Sequence, residues 1–139
     1  MWSTIINTKF SDNGIAMLRI WLGIIMMKHS YPVIAENGFS EFGDWIGSLG
    51  VPLPYFMAYI AKGGEFLGGA LLAAGFLTRV GAFLIFVNMV VAVTVASDSA
   101  IFTKAELPFG YLLIALAIFL HGPDRWSIDN RLKQQTTTT

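Results

Sequence analysis

The chain has 139 residues, 55% of them AVILMFWYC and only 13% charged, with a mean hydropathy of +0.62. Soluble domains carry ~25% charged residues, and a compact body of this length has too much surface to hide so large an apolar share, so the surplus must face lipid. Nine Lys plus Arg balance nine Asp plus Glu, without the basic excess that neutralises phosphates, which excludes a nucleic-acid partner. With no Cys, disulfide relays, thiol catalysis, iron–sulfur clusters and thiolate metal sites are excluded as well.

The pattern predicts an all-α, integral membrane four-helix bundle, antiparallel, with short interfacial amphipathic helices. It forms a single domain over residues 1–133. Trp2, Ile5, Ile6 and Phe10 make a first short apolar stripe. Span one, about 14–34, carries Arg19, Lys28 and His29; because Lys28-His29-Ser30-Tyr31-Pro32 stands where a small-residue cleavage site would be, it reads as uncleaved. Phe39, Phe42, Trp45, Ile46 and Leu49 then recur at helical spacing, as in an amphipathic helix lying in the interface. Gly50-Val51-Pro52-Leu53-Pro54 breaks that helix and re-aims the chain. Span two, about 55–77, contains Lys62 and Glu65 among small residues, and only Leu77-Thr78-Arg79 separates it from the charge-free span three, about 80–97, so the two form an antiparallel hairpin. Span four, about 105–121, is short and ends at Gly122-Pro123. Arg125-Trp126 reads as an interfacial anchor, and residues 134–139 as a disordered tail.

Charge sets the orientation. With four spans, Lys9, Arg79, Arg125, Arg131 and Lys133 fall on one side, and Glu36, Glu41, Asp44, Asp98 and Glu106 on the other with Lys104 as its cation. The positive-inside rule then puts both termini in the cytoplasm.

Ionisable residues at membrane depth cost at least ~2.5 kcal/mol on insertion scales and need a partner, a route to the interface or a function. At ~1.5 Å rise per residue, Arg19 lies ~8 Å from the cytoplasmic end, Glu65 ~18 Å, and Lys28, His29 and Lys62 ~21 to 23 Å. On a helical wheel Gly23, Met26 and Ser30 share the Arg19 face, whereas Lys28 points away. Ala58, Ala61, Gly69, Leu72 and Phe76 share the Glu65 face, with Gly64 and Gly68 as a small-xxx-small pair beside it. Two readings stand. In one, Arg19, His29, Lys62 and Glu65 line one polar pocket between spans one and two. In the other, Arg19 and Glu65 form a structural ion pair that fixes helix register. Asn88 reads as an interhelical hydrogen bond. His29 and His121 fall toward opposite faces, so no metal or haem site is expected. Three cations against one carboxylate among Arg19, Lys28, Lys62 and Glu65 leave a positive field suited to a quinone oxygen or an oxyanion. Trp21, Tyr55, Tyr59 and Phe66 are candidate apolar walls.

Leu18-Arg19-Ile-Trp-Leu22-Gly23 with His29, Glu65-Phe-Leu-Gly-Gly69 followed by Gly75-Phe-Leu-Thr-Arg79, and Gly122-Pro-Asp-Arg-Trp-Ser-Ile-Asp129 together resemble the motifs of DoxX-like membrane proteins, in order and spacing from Gly14 to Asp129. Two positions depart from that pattern. His29 is followed by Ser30-Tyr31-Pro32-Val33 rather than a His-Gly-x-x-Lys sequence, and Asp124 stands where the family often has Gly. The resemblance implies a four-helix inner-membrane protein associated with quinol oxidase, thiosulfate:quinone oxidoreductase or oxidative-stress systems. It also marks Arg79, Arg125, Ser127 and Asp129 as a cytoplasmic motif, either a docking surface with an Arg79–Asp129 contact or a helix-end brace. The reading that follows is a non-catalytic subunit that holds a ligand, with a bound quinone and no intrinsic cofactor. Its partners would be the lipid bilayer, a membrane or cytoplasmic redox enzyme, and a further copy of the chain as a homo-oligomer. The alternatives are a small transporter or proton pathway using Glu65, and a structural or assembly subunit.

Overall fold

The computed structural model describes residues 8–97 and 101–137, with side chains from Asp12 onward. The regular elements among them are all helical: α1 Thr8–Ala35, α2 Phe39–Ser48, α3 Pro54–Ala74, α4 Thr78–Val91, α5 Glu106–His121 and α6 Ile128–Thr136, with α4 continuing as a π-helix over Ala92–Ala96. The stripe of Trp2, Ile5, Ile6 and Phe10 lies outside the described side chains, as do Lys9 and Asp98.

Helix α3 packs on α1 and α4, and α5 packs on α4 and α1. Leu22, Met26, Leu72, Ala82, Ile85, Met89, Ala115 and Ile118 form the buried core between them. Glycine sets the closest approaches. A Cβ at Gly23 would lie 2.5 Å from Ala73 N and 2.6 Å from Gly69 O, and one at Gly68 would lie 3.1 Å from Gly81 O, so α3 meets α1 and α4 backbone to backbone. Gly68 therefore faces a neighbouring helix as the small-residue pattern predicts. Gly64, its predicted companion, has nothing within 4 Å of a built Cβ and borders a cleft instead.

The end of the molecule where α3 turns into α4 is called the base here, and the end carrying α2 the top. At the base Gly75 takes φ +70 and ends α3, its N–H donating to Leu71 O and Leu72 O, the left-handed stop that glycine adopts without a Cβ penalty. The turn therefore falls at residues 75–77, not at Leu77-Thr78-Arg79, and Thr78 and Arg79 already belong to α4. Leu77, at φ 47, cannot cap α4 with its side chain. Asp129 does so from α6, accepting from Leu77 N at 2.7 Å, Thr78 N at 2.8 Å and Thr78 Oγ1 at 2.7 Å.

The predicted tail is corrected over residues 134–136, and residues 138–139 of it lie outside the described residues. Helix α6 runs through Gln134 and Gln135 to Thr136. Ser127 caps it by accepting from Asn130 N, Asp129 sits in its first turn and Lys133 in its last, which complements the helix dipole, and Gln is a good helix former.

One helix among the described residues, Thr78–Ala96, is long and apolar enough to cross a membrane, with a mean hydropathy of 2.1; α5 is apolar but shorter. Outward-facing apolar side chains recur on the other long helices, including Trp21 and Ile24 on α1, Ile60 and Leu67 on α3, and Leu113 and Leu120 on α5.

Candidate functional site

The expected common pocket of Arg19, His29, Lys62 and Glu65 does not form. Arg19 belongs to the base. It is 1% exposed, and its Nε donates to Asp124 Oδ2 at 2.6 Å. Its Nη1 donates to the Leu72 and Ala73 carbonyls at the C-terminal end of α3, where free carbonyls and the negative helix end favour a cation. Asp124 also accepts from Trp126 N at 2.8 Å, and Ser127 Oγ donates to Asp124 O at 2.6 Å. Gly75 leaves room for this clamp: a Cβ there would lie 2.8 Å from Arg19 Nη1. The expected Arg19–Glu65 pair thus fails on depth, since Arg19 lies within reach of the end of α3 whereas Glu65 stands about two turns further up that helix.

His29 is exposed on the upper part of α1, its ring 6.3 Å from that of Tyr111. Lys28 is exposed too, as the wheel predicts. Lys62 and Glu65 do meet, Nζ to Oε2 at 2.7 Å, one turn apart on α3.

That pair lines a cleft of about 430 Å³ between α2, α3 and α4. Phe42, Trp45, Ile46 and Leu49 of α2 form one wall, Met57, Ile60 and Ala61 of α3 the second, and Phe83, Val87 and Val91 of α4 with Ala92, Val95 and Ala96 of the π-helix the third. The candidate walls Trp21, Tyr55, Tyr59 and Phe66 are exposed and do not line the cleft: Trp21 belongs to α1, and on α3 the other three lie ~80–120° around the helix from Glu65. Asn88 donates Nδ2 to Ala61 O at 2.7 Å, the interhelical bond the sequence predicts. Its Oδ1 makes no hydrogen bond among the described residues. Lys62 Nζ also lies 4.9 Å from the centre of the Phe42 ring, a cation–π contact joining α2 to the cleft floor. Tyr55 OH donates to Asp44 Oδ1 at 2.5 Å, and the Phe39 and Tyr59 rings stack 4.2 Å apart, which hold α2 against α3.

The electrostatics differ from the expected positive field. Lys62 is neutralised by Glu65, Arg19 by Asp124, and Lys28 is outside. The cleft is apolar, carries a balanced ion pair and has one spare amide oxygen. It can hold a neutral, largely apolar molecule and hydrogen-bond its polar end. Among the described residues there is no group of three or more His, Cys, Asp or Glu placed to hold a metal ion.

The sequence profile of the DoxX family matches residues 14–98, which carry α1 to α4 and both polar positions of α3. The chain belongs to the DoxX family. A Bacillus subtilis (strain 168) protein named "Putative oxidoreductase CatD" is 33% identical to this DoxX protein over 113 residues, 81% of this chain and 80% of that protein. No solved structure matches the chain significantly.

Of the four residues expected to form a cytoplasmic motif in this DoxX protein, Asp129 does not reach Arg79. It caps α4, while the Arg79 guanidinium lies against Gly122, where a Cβ would come within 3.1 Å of Nε and Nη2. Ser127 is buried as the α6 cap, and Arg125 is exposed. Asp124 is the residue the candidate site lacked. Its sequence signal is a lone carboxylate between Pro123 and Arg125, and it supplies the counter-ion for Arg19.

Proposed function

We propose that this DoxX protein is an integral inner-membrane protein whose four long helices cross the bilayer as an antiparallel bundle with both termini cytoplasmic. In this reading it is a non-catalytic subunit that holds a quinone-type ligand in the α2–α3–α4 cleft for a membrane redox enzyme. The observation that carries this reading is an apolar cleft with the Lys62–Glu65 pair and Asn88 as its polar members. Its volume lies within the ~300–1,000 Å³ of small-molecule pockets. A neutral carbonyl fits better than an anion, because Glu65 already satisfies the charge of Lys62. The ammonium keeps N–H donors to offer a carbonyl oxygen, and Asn88 Oδ1 can accept from a hydroxyl. A quinone bound there supplies reversible two-electron, two-proton chemistry, while the residues of this chain bind it, orient it and exclude water. The name of the Bacillus relative supports an association with oxidoreduction.

A transporter or proton pathway through Glu65 has the packing against it. Below Glu65, Gly68 meets Gly81 backbone to backbone, and Leu72 and Ile85 are fully buried, so the cleft has no open continuation to the base.

Quinone titration of the purified protein tests the reading. Lys62→Met should weaken binding by about ten- to a hundredfold, the range for a hydrogen bond to a charged group of ~1.5–3 kcal/mol. Lys28→Met, outside the cleft, should leave it unchanged. Equal affinities for the wild type and Lys62→Met would overturn the assignment and leave a structural role as the better account.

A further inference from the structure

The base carries charges of both signs, but its carboxylates are engaged within the chain. Asp12 Oδ1 pairs with His121 Nε2 at 3.2 Å, Asp124 with Arg19 at 2.6 Å, and Asp129 with the start of α4. Arg79, Arg125, Arg131 and Lys133 at the same end are exposed, and their side chains make no ion pair or hydrogen bond among the described residues. Among the described residues, four cations are thus left without a carboxylate.

Apolar surface adjoins them. Trp126, Ile128 and Leu132 are 61%, 41% and 48% exposed, and no residue of α6 is buried. The first turn of the helix is tied to the base by the Asp129 cap and by Asp129 N donating to Gly75 O at 3.0 Å. Nine residues are too few for a stable helix in water without a surface to lie on. Ile128 and Leu132 share one face at i, i+4, with Arg131 flanking it ~60° away. The patch continues onto exposed Leu77 and Val80 at the start of α4, the helix apolar enough to span a bilayer. Its partner therefore borders hydrocarbon and carries negative charge.

We propose that Trp126 and α6, with Arg79 and Arg125, form a docking surface for anionic phospholipid headgroups of the same membrane. Trp126, Ile128 and Leu132 enter the boundary between headgroups and acyl chains, and the four cations bind lipid phosphates. This rests on the membrane reading above but is independent of the cleft and its ligand.

The chain has no Cys, so single spin labels can be placed cleanly by Leu132→Cys, Asn130→Cys and Ile24→Cys. The full-length protein is reconstituted in vesicles of phosphatidylcholine alone or mixed with phosphatidylglycerol. Accessibility to oxygen and to a water-soluble nickel chelate is then compared. The expected result is a Leu132 label shielded from nickel only when phosphatidylglycerol is present and released by high salt, with the Asn130 label staying accessible to nickel. Adding Arg131→Gln and Lys133→Gln should abolish the shielding. A Leu132 label equally accessible in both vesicles overturns the proposal. Shielding indifferent to phosphatidylglycerol and salt, or rising with protein-to-lipid ratio as for a second copy, overturns it as well. The Ile24 label, on an exposed position of α1 outside the cleft, separates the two claims. If it is lipid-exposed while Leu132 fails, only the α6 surface is wrong; if it is water-exposed, the membrane reading has failed.

Discussion

Arg19 and Asp124 share the most deeply buried ion pair among the described residues, with side chains 1% and 0% exposed. Removing one partner leaves an uncompensated buried charge, which typically costs ~3–5 kcal/mol. Asp124→Ala should therefore lower folded yield and thermal stability more than Glu65→Ala, whose Lys62 partner is nearer solvent. The double variant Arg19→Met/Asp124→Leu should be less damaged than either single, since apolar replacement of a whole pair is often tolerated. Additive losses in thermal unfolding would contradict this. The wheel placed Gly23, Met26 and Ser30 on one face with Arg19, and the structure buries all four. The wheel named the wrong partner because Asp124 stands 105 residues away in the chain, in a loop whose return to α1 no periodicity encodes.

Asp129 gives the residue scale a pH signature. Partial burial pushes its carboxyl up, but hydrogen bonds from Thr78 N–H and hydroxyl and from Leu77 N–H, with the Arg19 charge, outweigh that and hold it below its ordinary 3.8. A folded-state pKa below the unfolded one contributes stability that is fully present above the unfolded value of ~3.9 and disappears as pH falls through the folded value. Asp129→Asn should therefore be less stable than the wild type at pH 7, and the two melting curves should converge as the pH drops below about 4. A stability gap that stays constant down to pH 3 would remove the carboxylate from this role.

Among the elements, α3 carries the most information in the least sequence. Its inner face, Ala58, Glu65, Gly68, Gly69 and Leu72, is buried, much as the helical wheel placed it, except that Phe76 lies beyond the stop at Gly75. Glycine reports on contact only in three dimensions, however. Gly23 and Gly69 touch backbone atoms of the facing helix, whereas Gly63 has nothing within 4 Å. Gly23→Ala should cost ~1–3 kcal/mol through forced separation of α1 and α3. Gly63→Ala should be neutral or stabilising by up to ~1 kcal/mol, since alanine is the better helix former. Comparable melting points for the two variants would mean that the α1–α3 contact is looser than described. The π-helix at Ala92–Ala96 was not legible at all. Its residues are as apolar as those before it, and the one-residue widening of the backbone ladder leaves no mark on composition.

At the scale of the whole molecule, the question is how many times the chain crosses. Among the described residues only Thr78–Ala96 is sufficient by length and hydropathy, and α5, with 16 residues, reaches ~24 Å against a hydrocarbon core of ~30 Å. Composition alone leaves α5 undecided. Its two ends do not. His121 pairs with Asp12, and Trp126 Nε1 donates to Asn13 Oδ1 at 3.0 Å, so the chain after α5 returns to the end where α1 begins. Between them, α3 and α4 run from top to base and back, joined at Gly75–Leu77. On the four-span reading proposed above, this arrangement requires an even number of crossings, and α5 would meet the thickness by local thinning of the bilayer or by drawing in Ala105. Cysteines introduced one at a time at Ser40, Phe76, Phe102 and Gln135, all exposed, should sort by side with an impermeant maleimide. Ser40→Cys and Phe102→Cys should react in intact cells, and Phe76→Cys and Gln135→Cys only after permeabilisation. Each neighbouring pair tests one helix: Ser40 and Phe76 test α3, Phe76 and Phe102 test α4, and Phe102 and Gln135 test α5. Phe102 and Gln135 reacting from the same side would mean that α5 does not cross. Asp124 could then not reach Arg19 at the base, and the clamp and the four-span topology would fall together.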